Sequence, residues 1–172
     1  FVRRGALMRV NGFDDRFRRA WREDSDLQFR LLALAGPVGR APLATVLHPV
    51  RPEAWGVSLR QLRNAFFDAL LYKKHPVLYR QQILPMPPWD YYFIVLATLA
   101  ALPLGLLYGR APMLAALGMA AAVDLRFAHR RLRGADRSWR HVAEMLVTSV
   151  AIPFLSVYWR LRGAWRFRVW FL

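Results

Sequence analysis

The chain has 172 residues, of which 26 are Lys or Arg and 11 are Asp or Glu, a formal charge of +15, and 56% of it is hydrophobic. With no cysteine, disulfides, zinc–thiolate sites and thiol catalysis are excluded. Charge and apolarity are segregated. Acidic residues gather in the first half, and apolar runs separated by arginine clusters fill the second, a pattern that favours an anionic membrane surface over nucleic acid as the partner.

The chain begins at Phe1 with no signal peptide before the folded-looking region, and it reads as the C-terminal part of a longer protein. Phe1 to Val10 reads as a strand or short helix with a basic edge at Arg3, Arg4 and Arg9. Asn11-Gly12 is a turn signal. Leu27, Leu31 and Leu34 recur at helical spacing behind the acids of Trp21-Arg22-Glu23-Asp24-Ser25-Asp26, and Gly36-Pro37 stops that helix. Leu43 to Leu47, bounded by Pro42 and Pro49, reads as a strand closing on His48. A helix is expected from Val57 to Lys74, with Leu59, Leu62, Phe66 and Leu70 as its apolar stripe. It can lie on a headgroup surface or pack on the preceding domain. Pro85, Pro87 and Pro88 mark a boundary, dividing the chain into residues 1–85 and a membrane region, 86–172.

Tyr91 to Tyr108 carries no charge and has aromatic residues at both ends, as a membrane span does. Pro112 to Val123 is apolar but short of the ~20 residues that cross comfortably, and is expected as the return leg of a hairpin turning at Gly109-Arg110-Ala111. Arg126, Arg130, Arg131, Arg133, Arg137 and Arg140 follow. The positive-inside rule puts them, and the half of the chain before the hairpin, in the cytoplasm at the inner membrane. Val142 to Tyr158 is a third apolar segment with Pro153 inside it; it either spans or lies along the surface, and the sequence leaves both open.

By residue type alone, Glu23, Asp24 and Asp26 are explained as acids that complement a helix N-terminus. Arg30 can pair with Asp26 one turn back, Asp14 can fix its own turn, Trp21 and Trp55 can pack, and a single His48 at a strand end is ordinarily structural. Their order adds something. Asn11-Gly12-Phe13-Asp14-Asp15-Arg16-Phe17, then Arg22-Glu23-Asp24-Ser25-Asp26-Leu27-Gln28-Phe29-Arg30, then Gly36 and a histidine at 48 resemble glycosyltransferase family 2. That family shows a Gly-Gly-Phe-Asp turn, a Glu-Asp-x-Asp-Leu-x-x-Arg helix start and a histidine after the next strand. The match covers roughly residues 1 to 80 and departs at Asn11, where glycine is commoner.

The resemblance implies an α/β fold of the GT-A type, here its C-terminal part followed by transmembrane helices, and inverting transfer from a nucleotide-sugar donor. Asp24 would be the base that takes the acceptor hydroxyl's proton, with Glu23 orienting it or binding acceptor hydroxyls. Arg30 and Trp21 would be substrate contacts, one to a diphosphate and the other stacked on a sugar. His48 would ligate a divalent cation, Mn or Mg, that offsets the leaving group's charge. The donor half, with its Asp-x-Asp motif, would lie upstream of Phe1. A membrane anchor beside the acceptor side implies a lipid-linked or membrane-proximal glycan acceptor. No nucleic-acid motif is present. The competing reading is a non-catalytic membrane protein whose basic loops bind anionic lipid or a partner.

Overall fold

The computed structural model describes residues 2–34, 36, 39, 41–47, 53–134 and 138–171. Among them every regular element is a helix, and no strand is present. The expected α/β fold with a GT-A sheet is therefore incorrect. Residues 43–47, expected as a strand, form a turn and open loop, with Leu43 97% exposed and Val46 and Leu47 exposed as well. The run is apolar enough for a strand, but no neighbouring strand takes up its backbone groups, and pairing is what makes a strand stable.

Helix α1 (Arg4–Arg9) replaces the strand-or-helix alternative at the start of the chain. It ends where Gly12 N–H donates to the Leu7 carbonyl and Asn11 N–H to that of Met8, both at 3.1 Å. Asn11 and Gly12 take φ of 58° and 63° to do so, the left-handed close that Asn and Gly tolerate best. Helix α2 (Glu23–Leu34) buries Leu27, Phe29 and Leu31. Helix α3 (Val57–Gln61), a single 3-10 turn (Leu62–Asn64) and α4 (Ala65–Lys74) occupy the stretch expected as one helix. Helix α5 (Pro76–Gln82) starts with proline in its first turn, where the missing N–H costs nothing.

Helices α6 (Trp89–Tyr108), α7 (Arg110–Leu132) and α8 (Trp139–Phe167) are each long and apolar enough to cross a membrane. Helices α6 and α7 form a hairpin that turns at Gly109, φ 90°. Small residues are buried on both legs, Ala101 on α6 and Ala116 and Ala120 on α7, as in closely packed lipid-embedded helices. Its open end is joined by the Asp90–Arg130 ion pair and by the Tyr91 and Phe127 rings, 5.2 Å apart. Helix α7 runs well past the expected end at Val123. Asp124 and Arg126 interrupt hydropathy, but charged residues there do not end a helix.

Helix α8 is hydrogen-bonded to the hairpin near this open end. Arg131 of α7 donates to the hydroxyls of Thr148 and Ser149, both at 2.8 Å, while Arg160 of α8 donates to the Tyr92 hydroxyl at 3.3 Å. Ser149 and Arg160 stand roughly 16 Å apart along a helix, so α8 crosses the hairpin's base. Along its other side run α3 and α4, from Gly56 N–H on the Glu144 carboxylate (2.7 Å) to Lys73 on the Phe167 carbonyl (2.7 Å). An aromatic core fills the space between. Phe17, Phe29, Phe67, Leu70 and Tyr79 pack with Phe171, which the chain delivers by turning back at Arg168 after α8.

Candidate functional site

The acidic head of α2 is fixed from both sides. Arg22, in a left-handed conformation (φ 73°), donates to Asp68 of α4 at 2.6 Å, and the Trp21 indole N–H reaches the same carboxylate oxygen at 3.1 Å. The Arg22 guanidinium also lies over the Trp21 ring, 4.9 Å from its centre, a cation–π arrangement. Trp21 and Arg22 thus tie the entry to α2 onto α4.

One turn further on, Asp26 has no exposure to solvent. Its carboxylate receives Lys74, His75 Nε2 at 3.0 Å and Arg30 Nε at 2.8 Å. Burial pushes the Asp26 carboxyl up, yet the Lys74 and His75 hydrogen bonds outweigh it and hold the group below its ordinary range. Lys74 Nζ also reaches Asp14 at 2.7 Å. Asp14 is held well below the usual carboxylate range, chiefly by its hydrogen bond from Arg16, with Lys74 adding to it. Arg30 uses its remaining nitrogens on the carbonyls of Val10 and, at 2.7 Å, Gly12. The turn after α1 and the head of α2 are therefore one unit, knit by Arg30 and Lys74.

The other two acids stand differently. Asp24 is exposed, and among the described residues its Oδ1 accepts only from its neighbour Ser25, at 2.7 Å from the N–H and 3.3 Å from the hydroxyl. Glu23 is half-buried, and its Oε2 is buried with no hydrogen-bond partner among the described residues. Its side chain lines a shallow depression with Asp15, Phe17, Arg18 and Arg19. Both carboxylates sit in the first helical turn, where the helix dipole favours negative charge. Chemically they offer one solvent-accessible acceptor and one carboxylate oxygen lacking a donor.

Of the sequence-derived site residues, Glu23 and Asp24 are adjacent at this rim. Arg30 is engaged inside the fold. Trp21 keeps 37% exposure while its N–H is bound to Asp68. His48 lies outside the described residues. Among the described residues no three His, Asp or Glu side chains gather as a ligand set for a metal ion. Lys74, His75 and Asp68 belong to the site's frame and escaped sequence reasoning. Their only signals were a Lys-Lys-His run at the end of α4 and an Asp inside the apolar stretch Phe66–Leu71.

The described residues thus define an all-helical chain in which an acidic helix head is braced beside helices long and apolar enough to cross a membrane. Comparison with protein-family models, with curated proteins and with solved structures finds no match.

Proposed function

We propose that the chain supplies the acceptor side of an inverting sugar transferase working at a membrane surface, with Asp24 as general base and Glu23 as the acceptor-binding carboxylate beside it. The observation that carries this reading is the unequal use of the three acids at the head of α2. Asp26 is consumed by Lys74, His75 and Arg30, whereas Asp24 faces solvent and Glu23 keeps a carboxylate oxygen without a donor. A capping role accounts for acids that bond the helix end; it does not account for a buried, unpaired carboxylate oxygen, which carries a desolvation cost. An acceptor hydroxyl that Glu23 meets once its side chain turns toward solvent would supply that missing donor. The ordered likeness of residues 11–17 and 22–30 to glycosyltransferase family 2 gives the reaction. The hydroxyl oxygen bonds to the anomeric carbon, its proton passes to Asp24, and the nucleoside diphosphate departs with the electron pair of the broken bond.

In the same reading the α6–α7 hairpin crosses the inner membrane and α8 lies along its cytoplasmic face. Helices α3 and α4 and the 3-10 turn between them flank α8 and carry the exposed charges Arg60, Arg63 and Lys73. Drawing them into the hydrocarbon with α8 would cost about 2.5–3.5 kcal/mol for each charge reaching the centre. The acceptor is then a lipid-linked or membrane-proximal glycan, brought to Asp24 at the membrane surface.

The test is sugar transfer from labelled nucleotide-sugars by membranes holding the full-length protein, wild type against Asp24→Asn. Loss of a general base lowers turnover by roughly 10²–10⁴-fold, with the protein still folded and membrane-bound. Turnover of Asp24→Asn within about twofold of wild type would remove Asp24 from the chemistry. A wild-type protein that transfers no sugar would end the transferase reading.

A further inference from the structure

A second feature of the fold carries no role in that chemistry. Three separated stretches of chain, the loop before α2, the end of α4 and the end of α8, bring Arg16, Arg18, Lys73, Lys74, Arg166 and Arg168 around one open cleft. Its floor is apolar, formed by Phe66, Phe67 and Leu70, and among the described residues no Asp or Glu lines it. Asp14 lies close enough to hold Arg16 and Lys74. Among the described residues Arg18, Lys73, Arg166 and Arg168 meet no carboxylate. Lys73 spends one hydrogen bond on the Phe167 carbonyl. Arg168 is held at φ 49°, a left-handed conformation that a residue with a side chain rarely adopts. Like charges gathered in a concavity repel one another unless an anion sits among them.

The cleft also has an apolar side. Trp165, 83% exposed, lines it. From Trp165 an unbroken exposed stripe runs back along α8 through Leu161, Tyr158, Phe154, Val150 and Val147, at the three- and four-residue spacing of one helix face. The opposite face of α8 is the buried one, with Ile152, Ser156 and Gly163 on it. A cationic recess at the end of an exposed apolar stripe matches a molecule with an anionic head and a hydrocarbon tail.

We propose that this cleft is a binding site for the phosphate headgroup of a membrane lipid, its hydrocarbon chain lying along the α8 stripe. Arg18, Arg166 and Arg168 hold the phosphate oxygens, because guanidinium forks match that geometry. Arg16 and Lys74 remain on Asp14 and shape the wall. The site is independent of sugar transfer and holds equally for a non-catalytic membrane protein.

Binding is measured on the full chain in neutral detergent by native mass spectrometry, with phosphatidic acid, phosphatidylcholine and inorganic diphosphate as probes. Phosphatidic acid is expected to bind and phosphatidylcholine not. The triple substitution Arg18→Gln, Arg166→Gln, Arg168→Gly is expected to weaken binding by roughly tenfold or more. Glycine at 168 also relieves the left-handed backbone, so the thermal melt of the triple variant should stay near wild type. Arg3→Gln, Arg4→Gln, Arg9→Gln removes the same charge elsewhere and should change binding by less than about twofold. Equal losses in the two triple variants would reduce the effect to net charge and overturn the site. Inorganic diphosphate binding as tightly as phosphatidic acid would overturn the lipid assignment. So would displacement of the lipid by an equimolar DNA oligonucleotide, which would make the cleft a nucleic-acid groove. Equal uptake of phosphatidic acid and phosphatidylcholine would overturn the proposal outright.

Discussion

Lys74, the last residue of α4, pairs with Asp26, a carboxylate on α2 with no exposure to solvent. The contact joins elements whose sequence positions are far apart, and the same ammonium bridges to Asp14 in the turn before α2. Removing it leaves Asp26 with His75 and Arg30 only. Breaking one side of a buried pair strands a charge, so Lys74→Met should cost about 3 kcal/mol of stability. Chemical denaturation in micelles reads the loss, and adding Asp26→Asn should restore part of it. Full stability in Lys74→Met alone would mean that the bridge contributes nothing.

The same carboxylates set an acid limit. Asp14 and Asp26 are both held below their ordinary range, while in an unfolded chain an Asp titrates near ~3.9. A depressed folded value stabilises fully above the unfolded one and is lost as pH falls through the folded one. Stability should therefore be flat with respect to these groups above about pH 4 and fall on further acidification. Asp14→Asn should show a shallower fall in melting temperature between neutral and acid pH; an unchanged slope would dissociate Asp14 from the acid response.

At Gly163 the backbone of α8 comes close to α4. A methyl group there would stand 2.5 Å from the Phe66 carbonyl oxygen and 3.1 Å from the Ala69 methyl. Gly163→Ala must push the helices apart and should destabilise by about 1–3 kcal/mol. Gly118→Ala in α7 meets nothing within 4 Å and should be neutral or stabilising by up to about 1 kcal/mol. Denaturation of the two variants side by side checks the contrast, and equal behaviour would refute the close packing.

The orientation of α8 can be read by labelling, since the chain has no cysteine of its own. Trp139 and Trp170, 83% and 86% exposed, flank the helix. If α8 lies along one face, Trp139→Cys and Trp170→Cys label with an impermeant maleimide from the same side of sealed vesicles. Labelling from opposite sides would make α8 a span.

Much of the helical frame was legible because apolar periodicity and length carry it. The stripe from Leu59 to Leu70 gave α3 and α4, and the uncharged run from Tyr91 to Tyr108 gave α6. Boundaries suffered where charge was mistaken for an end, as at Asp124 in α7. The stretch Leu43–Leu47 misled because a short apolar run has no period that distinguishes a strand from a loop. In the site, Glu23 and Asp24 were visible as acids before an apolar helix. The partners that set their neighbour apart were not. Lys74 and His75 reach Asp26, and Asp68 receives Trp21 and Arg22, across more than forty intervening residues, and no local pattern encodes such pairs.

Phe171 has no exposure, its ring lying 5.3 Å from that of Tyr72 and 5.4 Å from that of Tyr79. During synthesis the α1–α5 segment emerges long before this residue. At the roughly 5–20 residues per second typical of translation, its aromatic surfaces wait on the order of ten seconds for their last member. The hairpin is made within that interval and can enter the bilayer first. Docking of the end of α8 onto α4 and α5 then follows the making of the hairpin, and Phe67, Leu70 and Tyr79 lack their Phe171 neighbour until it happens.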